Sequence, residues 1–213
     1  MKKVIALSSD KAVAPINLYG ATKLCSDKLF IASNNYTGNK NISFSVIRYG
    51  NVMGSRGSVL PVFLSQKGSG TITLTHRDMT RFNILMEDCI KMVIWVLQNS
   101  YGGEIFVPKI PSFRIRDLAK VVAPECKTKS IGIRSGEKIH EEMITKNESQ
   151  DIYDVGKYYV ILPGKDKLQI QRKKYQRFIK HKKIKYGFSY SSENNSDFLN
   201  LTDLRRLVKN YMQ

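Results

Sequence analysis

Tyr19 and Lys23 are the residues whose types and spacing point most directly to chemistry. They stand four residues apart, so both side chains project from one face if the segment is helical. A tyrosine hydroxyl can act as a base when a neighbouring ammonium group stabilises its phenolate, and the same lysine can hold ribose hydroxyls. Any helix can contain such a pair by chance, so its meaning depends on the elements around it.

The segments around this pair alternate between strands and helices. Asn17 is the predicted N-cap of the helix that carries Tyr19 and Lys23. Apolar residues of this helix recur at helical spacing, and we expect them to face inward: Ala21, Leu24, Cys25, Leu29 and Ala32. The predicted strands are 3–7, 42–48, 104–107 and 129–133, and the predicted helices are 18–34, 86–98, 113–122 with Ser112 as its cap, a short one near 137–143, and one that starts at Thr202. This alternation favours parallel βαβ units in an α/β fold.

Composition places the chain among globular proteins. It has 213 residues, 42% of them hydrophobic and 25% charged. The longest apolar run, Met92 to Leu97, is far too short to cross a bilayer, so we expect a cytoplasmic protein with no membrane partner. The three cysteines, Cys25, Cys89 and Cys126, form no CxxC pair, which favours reduced thiols in the core over a disulfide or a zinc site.

The formal net charge of +17 is concentrated in residues 164–185, which contain ten Lys or Arg and one Asp. Such a stretch can bind nucleic acid or an acidic membrane surface. We favour a solvated, lysine-rich surface helix, because charge runs are usually exposed faces and no recognition helix or aromatic platform accompanies this one.

Several segments together resemble the inverting UDP-N-acetylglucosamine 4,6-dehydratases of the extended short-chain dehydrogenase/reductase superfamily. These segments are SSDKAVAPINLYGATKLCSDKLF, FSVIRYGNVMGSRGSVLPVF, MTRF, GGEIFVPKIPSF, LAKVVAPECKTKSIGIRSGEKIHEEMI and YSSENN. The resemblance implies a partial Rossmann-like parallel sheet, the second half of that fold, with a smaller α/β substrate-binding domain. It implies three ranges: 1–110, the second half of an NADP-binding domain with a substrate-loop insertion near 53–83; 111–163, the substrate-binding domain; and 164–213, a basic variable segment and C-terminal helix.

The resemblance also implies roles for individual residues. Tyr19 takes the C4 hydroxyl proton of UDP-N-acetylglucosamine, and Lys23 assists it and binds the ribose of NADP. Lys11 removes the C5 proton and Asp10 protonates the leaving C6 hydroxyl, which gives a UDP-4-keto-6-deoxy-hexosamine inverted at C5, for bacterial surface polysaccharide or flagellin sugars. A structural alternative is that Asp10 caps the turn and Lys11 is solvated.

Further residues are implied to bind the substrate and the cofactor. Arg56, Arg81 and Arg134 bind the UDP diphosphate and nearby sugar groups, because arginine pairs well with phosphate oxygens. Asn51 is a polar anchor for the substrate and Val52 lies beside the nicotinamide. His140-Glu141-Glu142 superficially suggests a metal site, but Ile144 stands where a second histidine would be needed, so no metal is predicted.

A cofactor fingerprint is missing from the sequence. No GxGxxG or Walker A pattern occurs, whereas members of this family carry their NADP fingerprint before the SSDKA strand. We therefore expect activity to need an N-terminal Rossmann half, and a homo-oligomer is also possible. Two alternatives stay open: a catalytically silent subunit that binds a nucleotide-sugar or a partner, and a basic nucleic-acid-binding protein.

Overall fold

A computed structural model describes residues 2–164 and 173–212 of the chain. They form two compact units. Unit 1 comprises Met1–Tyr49, Glu87–Lys109 and Glu142–Tyr190, and unit 2 comprises Gly50–Met86, Ile110–Glu141 and Ser191–Gln213. Each unit is thus assembled from three separate stretches of chain, and the three contiguous domains expected from the sequence stay a prediction.

The elements follow one another in an α/β pattern. The strands are β1 (Lys3–Ser9), β2 (Ser43–Tyr49), β3 (Asn51–Val52), β4 (Thr71–Leu74), β5 (Thr80–Ile84), β6 (Ile105–Pro108), β7 (Ser112–Arg114), β8 (Lys127–Ser130), β9 (Glu142–Ile144), β10 (Ile152–Asp154), β11 (Tyr158–Ile161), β12 (Lys182–Lys183) and β13 (Tyr190–Ser191). The helices are α1 (Leu18–Ser33), α2 (Val59–Gln66), α3 (Met86–Asn99), α4 (Ile115–Val122), α5 (Gln176–Ile179) and α6 (Leu201–Met212), with 3-10 helices at Asp10–Ala12, Lys67–Ser69 and Lys146–Asp151.

Unit 1 is built on a six-stranded sheet with the order β1-β2-β6-β11-β10-β12. Strand β1 pairs in parallel with β2 from Lys3↔Ser43 to Ser9↔Tyr49, and β2 pairs in parallel with β6. The strands from β11 onward are antiparallel. A buried cluster that includes Ile47, Met92, Phe106 and Phe178 packs against this sheet. The predicted α/β fold with a parallel sheet is confirmed.

Unit 2 has a smaller core around α2 and α4. Leu60, Phe63, Phe113, Leu118 and Leu204 are buried together in this cluster. Strand β5 pairs in parallel with β3 and antiparallel with β7, and β4 pairs in parallel with β8. No helix within the described ranges is long and apolar enough to cross a membrane.

Most predicted elements are present, but two details of the helix predictions are wrong. Ser112 does not cap a helix, because it lies in β7 and α4 begins only at Ile115. The segment near 137–143 is not helical. The main-chain carbonyls of Lys138 and Ile139 accept hydrogen bonds from the Arg81 guanidinium instead of from helical amides.

The predicted inner face of α1 is wrong at two of its five residues, whereas Ala21, Leu24 and Ala32 are partly buried. Leu29 is 68% exposed and Cys25 is exposed, whereas the buried residues of the helix are Gly20 and Asp27. Asp27 turns inward because it pairs with buried Arg48 on β2. The prediction that all three cysteines serve as core residues fails at Cys25; Cys89 is buried and Cys126 is partly buried.

The basic stretch 164–185 is described only in part. Residues 165–172, which belong to the predicted lysine-rich surface helix, lie outside the described residues. The described remainder contains the short helix α5 and strand β12.

Candidate functional site

Asp10 and Lys11 form a hydrogen-bonded ion pair where β1 ends. Lys11 Nζ donates to Asp10 Oδ1 at 2.9 Å, and the side chains are 38% and 0% exposed respectively. The second carboxylate oxygen, Asp10 Oδ2, is buried without a hydrogen-bond partner among the described residues. The Ser9 hydroxyl accepts from the Lys11 main-chain amide and fixes the turn. A buried carboxyl oxygen without a partner is costly unless another group, such as a ligand, engages it.

The first two turns of α1 present Tyr19 and Lys23 on one face, as the sequence predicts. The Asn17 side chain accepts from the Gly20 amide at 2.8 Å, which confirms the predicted N-cap. Lys23 Nζ lies 6.0 Å from the centroid of the Tyr19 ring. Tyr19 is 56% exposed, so its hydroxyl is accessible to a ligand. The Lys23 ammonium and the Tyr19 ring therefore lie on the same face of α1.

Gly20 brings α1 against the turn that carries Asp10 and Lys11. A Cβ atom at position 20 would lie 2.5 Å from the Lys11 main-chain oxygen and 2.9 Å from Pro15 Cβ, so no larger residue fits without a shift. The connecting loop is also strained at Ala14, whose φ of 41° is in the left-handed region. The absence of a side chain at Gly20 therefore sets the approach of the two candidate catalytic pairs, and sequence reasoning missed this residue.

A buried charge cluster in unit 1 was also missed. Arg48 is fully buried, and its guanidinium donates to Glu148 Oε1 at 3.0 Å, to the Met143 carbonyl at 3.1 Å and to Asp27 Oδ2 at 3.4 Å. Burial raises the pKa of Asp27, against the lowering effects of the Ser8 hydroxyl and Arg48. Asp27, Arg48 and Glu148 are far apart along the chain, so their spacing gave no signal for the cluster. The cluster ties the face of α1 that carries Tyr19 and Lys23 to β2.

Arg81 in unit 2 is committed to the protein itself. Its Nη1 donates to the Thr80 and Ile139 carbonyls at 2.7 and 2.9 Å, and its Nη2 donates to the Lys138 carbonyl at 2.9 Å. The guanidinium also faces Glu141 at 3.8 Å and Glu137 at 4.0 Å, and Arg81 is 8% exposed. Three of its five N–H donors bond to main-chain carbonyls, so Arg81 organises the loop before β9.

Arg56 and Arg134, the other two predicted diphosphate ligands, are exposed. Arg56 lies in the turn before α2, and Arg134 lies at the start of the turn that Arg81 holds, where the Glu137 amide donates to the Arg134 carbonyl. Neither guanidinium has a hydrogen bond or ion pair with another described residue. Both are therefore available to a phosphate group in a way that Arg81 is not.

Asn51 and Val52 form the short strand β3, paired with Asn83 and Ile84 of β5. The side-chain oxygens of Asn51 and Asn83 are both buried without hydrogen-bond partners among the described residues. Two unsatisfied amide oxygens on adjacent strands suggest a place for a donor group of a ligand. Asn83 was missed by sequence reasoning, because only the strand pairing brings it beside Asn51.

His140 belongs to a hydrogen-bonded cluster in unit 2. Its Nδ1 lies 2.8 Å from Thr80 Oγ1, which lies 2.7 Å from Ser192 Oγ. No group of three or more metal-ligating side chains occurs in the part of the chain that the structure describes.

Comparison with known proteins first places the fold. An X-ray structure of the protein Pen from Bacillus thuringiensis superimposes with a TM-score of 0.84 at 32% sequence identity, over 99% of this chain and 62% of that chain. A dTDP-glucose 4,6-dehydratase from Streptomyces venezuelae, crystallised with NAD and TYD, gives a TM-score of 0.59 at 16% identity, over 99% of this chain and 60% of that chain. At such low identity the second likeness shows the fold alone, an α/β fold of the Rossmann type.

The family follows from the sequence comparison. The chain belongs to the family described as "Polysaccharide biosynthesis protein", whose profile matches residues 1–163. A UDP-N-acetylglucosamine 4,6-dehydratase (inverting) from Campylobacter jejuni is 50% identical over 213 residues, which are 98% of this chain and 64% of that protein. The chain thus spans just under two thirds of the length of this relative. The resemblance to the inverting dehydratases is confirmed.

Proposed function

We propose that this chain carries the catalytic residues of an NADP-dependent UDP-N-acetylglucosamine 4,6-dehydratase that inverts C5. The observation that carries the proposal is that unit 1 contains two pairs of candidate catalytic residues. Asp10 and Lys11 are in hydrogen-bond contact, and Tyr19 and Lys23 lie on one face of α1. The 50% identity to the Campylobacter jejuni enzyme supports the same activity.

Tyr19 accepts the proton of the sugar C4 hydroxyl in this proposal. Lys23 stabilises the resulting phenolate, since its ammonium lies on the same helix face. When bound, NADP supplies the acceptor for the C4 hydride and returns that hydride to C6. The accessible Tyr19 hydroxyl and the Lys23 ammonium suit the ribose and nicotinamide end of the cofactor, and Val52 is proposed to lie beside the nicotinamide.

Asp10 and Lys11 carry out the elimination. With C4 oxidised to a ketone, neutral Lys11 takes the C5 proton, and the electron pair passes through an enolate to expel the C6 hydroxyl. Protonated Asp10 supplies the proton that turns this hydroxyl into water. The 2.9 Å contact between Lys11 Nζ and Asp10 Oδ1 holds the proposed base and acid side by side, as loss of a proton from C5 and of the hydroxyl from neighbouring C6 requires.

Arg56 and Arg134 are proposed to bind the UDP diphosphate, because both guanidinium groups are exposed and uncommitted among the described residues. Asn51 is proposed as a polar anchor for the substrate. Arg81, the third predicted diphosphate ligand, is proposed also to hold the turn that carries Arg134, since three of its donors bond to main-chain carbonyls.

An N-terminal Rossmann half is the proposed partner. Strand β1 lies at one edge of the six-stranded sheet, so one side of its main chain has no strand neighbour among the described elements. Leu7 on β1 is 51% exposed, and Ile90, Ile94 and Leu97 along α3 are 53%, 51% and 41% exposed. A further parallel strand with its helix would cover both the edge and this apolar surface. A homo-oligomer that uses the same surface is the other possibility.

The test is mass-spectrometric detection of dehydrated nucleotide-sugar from UDP-N-acetylglucosamine. The purified chain is mixed with NADP or NAD, alone and with an N-terminal Rossmann half taken from a relative. We expect product in the mixture of the two halves. The variants Tyr19→Phe and Lys11→Ala should lose it, and the surface controls Tyr36→Phe and Lys28→Ala should retain it. Unchanged turnover in Tyr19→Phe would overturn the assigned roles.

A second candidate is a silent subunit that binds a nucleotide-sugar without chemistry. It predicts binding of UDP-N-acetylglucosamine, lost in Arg56→Ala, with no water lost from the sugar in any mixture of folded halves.

A nucleic-acid-binding role for residues 164–185 predicts binding to generic DNA that falls steeply with salt and disappears when the stretch is removed.

A further inference from the structure

A cavity of about 500 Å³ lies in unit 1 at the amino ends of β1 and β2. Lys2 and Lys3 line it where β1 begins, Ser43 where β2 begins, and Ser100 directly after α3. Asp10 and Lys11 lie at the opposite end of β1, roughly 20 Å away for a strand of this length. The cavity is therefore separate from the candidate active site, and its volume is within the range of small-molecule sites.

Four lysines make the lining strongly positive. Lys2, Lys3, Lys40 and Lys174 all border the cavity, and no Asp or Glu occurs among its described lining residues. Lys3 Nζ donates to the Leu97 carbonyl at 2.7 Å, which leaves two of its ammonium protons for other acceptors. Lys174 comes from the basic stretch that the sequence singles out and that the dehydratase activity does not use.

Two nearby features oppose this positive charge, and each already has hydrogen-bond donors of its own. The Glu104 carboxylate is fully buried and accepts from the Ser45 hydroxyl and the Tyr101 and Gly102 amides at 2.7–2.8 Å. The carboxyl end of the α3 dipole is met by the Lys3 ammonium. Burial lowers the pKa of Lys174, and Glu104 partly offsets this effect. An anion in the cavity would stabilise the charged form of Lys174.

Ser100 supplies a second, independent sign of a ligand. It is 2% exposed, and its hydroxyl has no hydrogen-bond partner among the described residues. Its main-chain amide is satisfied by the Val96 carbonyl at 2.8 Å, so only the side chain is left unsatisfied. A buried hydroxyl without a partner is uncommon, and Ser100 lines the cavity together with the four lysines.

We propose that this cavity binds a diphosphate group, either free or carried by a nucleotide. The lysines act as point charges around the phosphate oxygens, and the Ser100 hydroxyl donates to one of them. The site is distinct from Arg56 and Arg134 in unit 2, and it does not depend on the proposed dehydratase activity.

The test is isothermal titration calorimetry of the full chain with inorganic diphosphate at moderate salt. The double variant Lys40→Ala/Lys174→Ala is compared with Lys120→Ala/Lys209→Ala, which removes the same charge from exposed positions on α4 and α6. We expect the first pair to weaken binding about tenfold or more and the second less than about threefold, since only the first removes charge-assisted contacts. Ser100→Ala should weaken binding severalfold without lowering the unfolding temperature.

Equal losses in both double variants would overturn the site, because they would show general attraction to a chain of net charge +17. The proposed site would also be overturned if the chain did not bind diphosphate at millimolar concentration. Full affinity in the Lys40→Ala/Lys174→Ala variant would overturn it too. ADP in the same titration identifies the source of the group. Tighter binding of ADP than of diphosphate, weakened by the same lysine pair, indicates a nucleotide, and equal or weaker binding indicates free diphosphate.

Discussion

Arg48 in unit 1 and Arg81 in unit 2 are both buried arginines, but they are neutralised in different ways. Arg48 is held by two carboxylates, from Asp27 and Glu148, and one main-chain carbonyl. Arg81 is held by three main-chain carbonyls, with its carboxylates no closer than 3.8 Å. Arg48 therefore joins a helix, a strand and a 3-10 helix by charge, whereas Arg81 fixes the shape of one loop.

The difference shows why an arginine in a motif need not contact the substrate. Arg81 lies in MTRF, a segment that resembles the dehydratases, and the resemblance implied a diphosphate ligand. Its guanidinium is engaged inside unit 2, so Arg81 acts as a positioning residue for this loop, and its contact with the diphosphate stays a prediction. Arg48 was overlooked, although we expect its loss to cost more, because two carboxylates depend on it.

The largest loss of folding stability is expected when Arg48 is replaced. Arg48→Met should lower the free energy of unfolding by about 3–5 kcal/mol, because Asp27 would be left as a buried carboxylate without its cation. Urea denaturation at neutral pH measures this loss. Arg116→Met is the matched control. The ion pairs of Arg116 with Asp78 and Asp117 lie at the surface, so this replacement should cost less than about 1 kcal/mol. A loss in Arg48→Met no greater than in the control would contradict the cluster.

Replacement of Arg81 should have a smaller effect that stays local. Arg81→Met should cost about 1–3 kcal/mol, since it removes three hydrogen bonds to main-chain carbonyls that are not themselves charged. Hydrogen exchange of amides 134–141 should accelerate, while α1 amides should not change.

Arg81→Lys separates positioning from charge. A lysine keeps the positive charge but cannot reproduce the planar fork that reaches Lys138 and Ile139. The loop amides should therefore still exchange faster than in the original chain. Unchanged exchange in both Arg81 variants would show that the loop holds its shape without this residue.

The pH dependence of the free energy of unfolding should reveal the raised pKa of Asp27. Its pKa in the folded state is raised above 3.8, so the folded protein binds this proton more tightly than the unfolded chain. The contribution of Asp27 to stability is thus present at low pH and declines as the pH rises from about 3.8 through the folded-state pKa. The stability difference between the original chain and Asp27→Asn should decrease over that window.

Asp154→Asn is the control with the opposite sign. Burial would raise the pKa of Asp154, but the hydrogen bonds from Lys109 and the Gly156 amide outweigh it and the pKa is lowered. Its contribution is present above 3.8 and is lost as the pH falls through the folded-state pKa. Thermal unfolding monitored at several pH values measures both variants. If the stability difference from the original chain changed with pH in the same direction for both variants, the raised pKa of Asp27 would be refuted.

The smallest effect is expected at the cap that orients Glu148. The Thr145 hydroxyl accepts from the Glu148 amide, and the Glu148 carboxylate accepts from the Thr145 amide, which forms a capping box. Thr145→Ala should cost about 1 kcal/mol of unfolding free energy. In an Arg48→Met background the cost should be smaller, because Glu148 no longer has its buried partner. Equal costs in the two backgrounds would show that the cap and the cluster are independent.

The sequence alone predicted the α/β alternation, because apolar periodicity and caps are local features. The cap at Asn17, the bounds of α1 and the shared face of Tyr19 and Lys23 followed from spacing of a few residues. The segment near 137–143 could not be predicted, since its main-chain carbonyls bond to Arg81, which lies more than fifty residues earlier. The same holds for Asn83, which only strand pairing brings beside Asn51.

The sequence by itself determined the family and the types of residue available for proton transfer, because these reside in short, contiguous segments. The tertiary structure decided which charges are buried and which remain available to a ligand. Arg81 looks in sequence like Arg56 and Arg134, yet the fold surrounds it with carbonyl groups. Asp27 faces inward against the apolar pattern of α1, because pairing with Arg48 compensates for its burial. Burial depends on which distant segments meet, and spacing along the chain does not encode it.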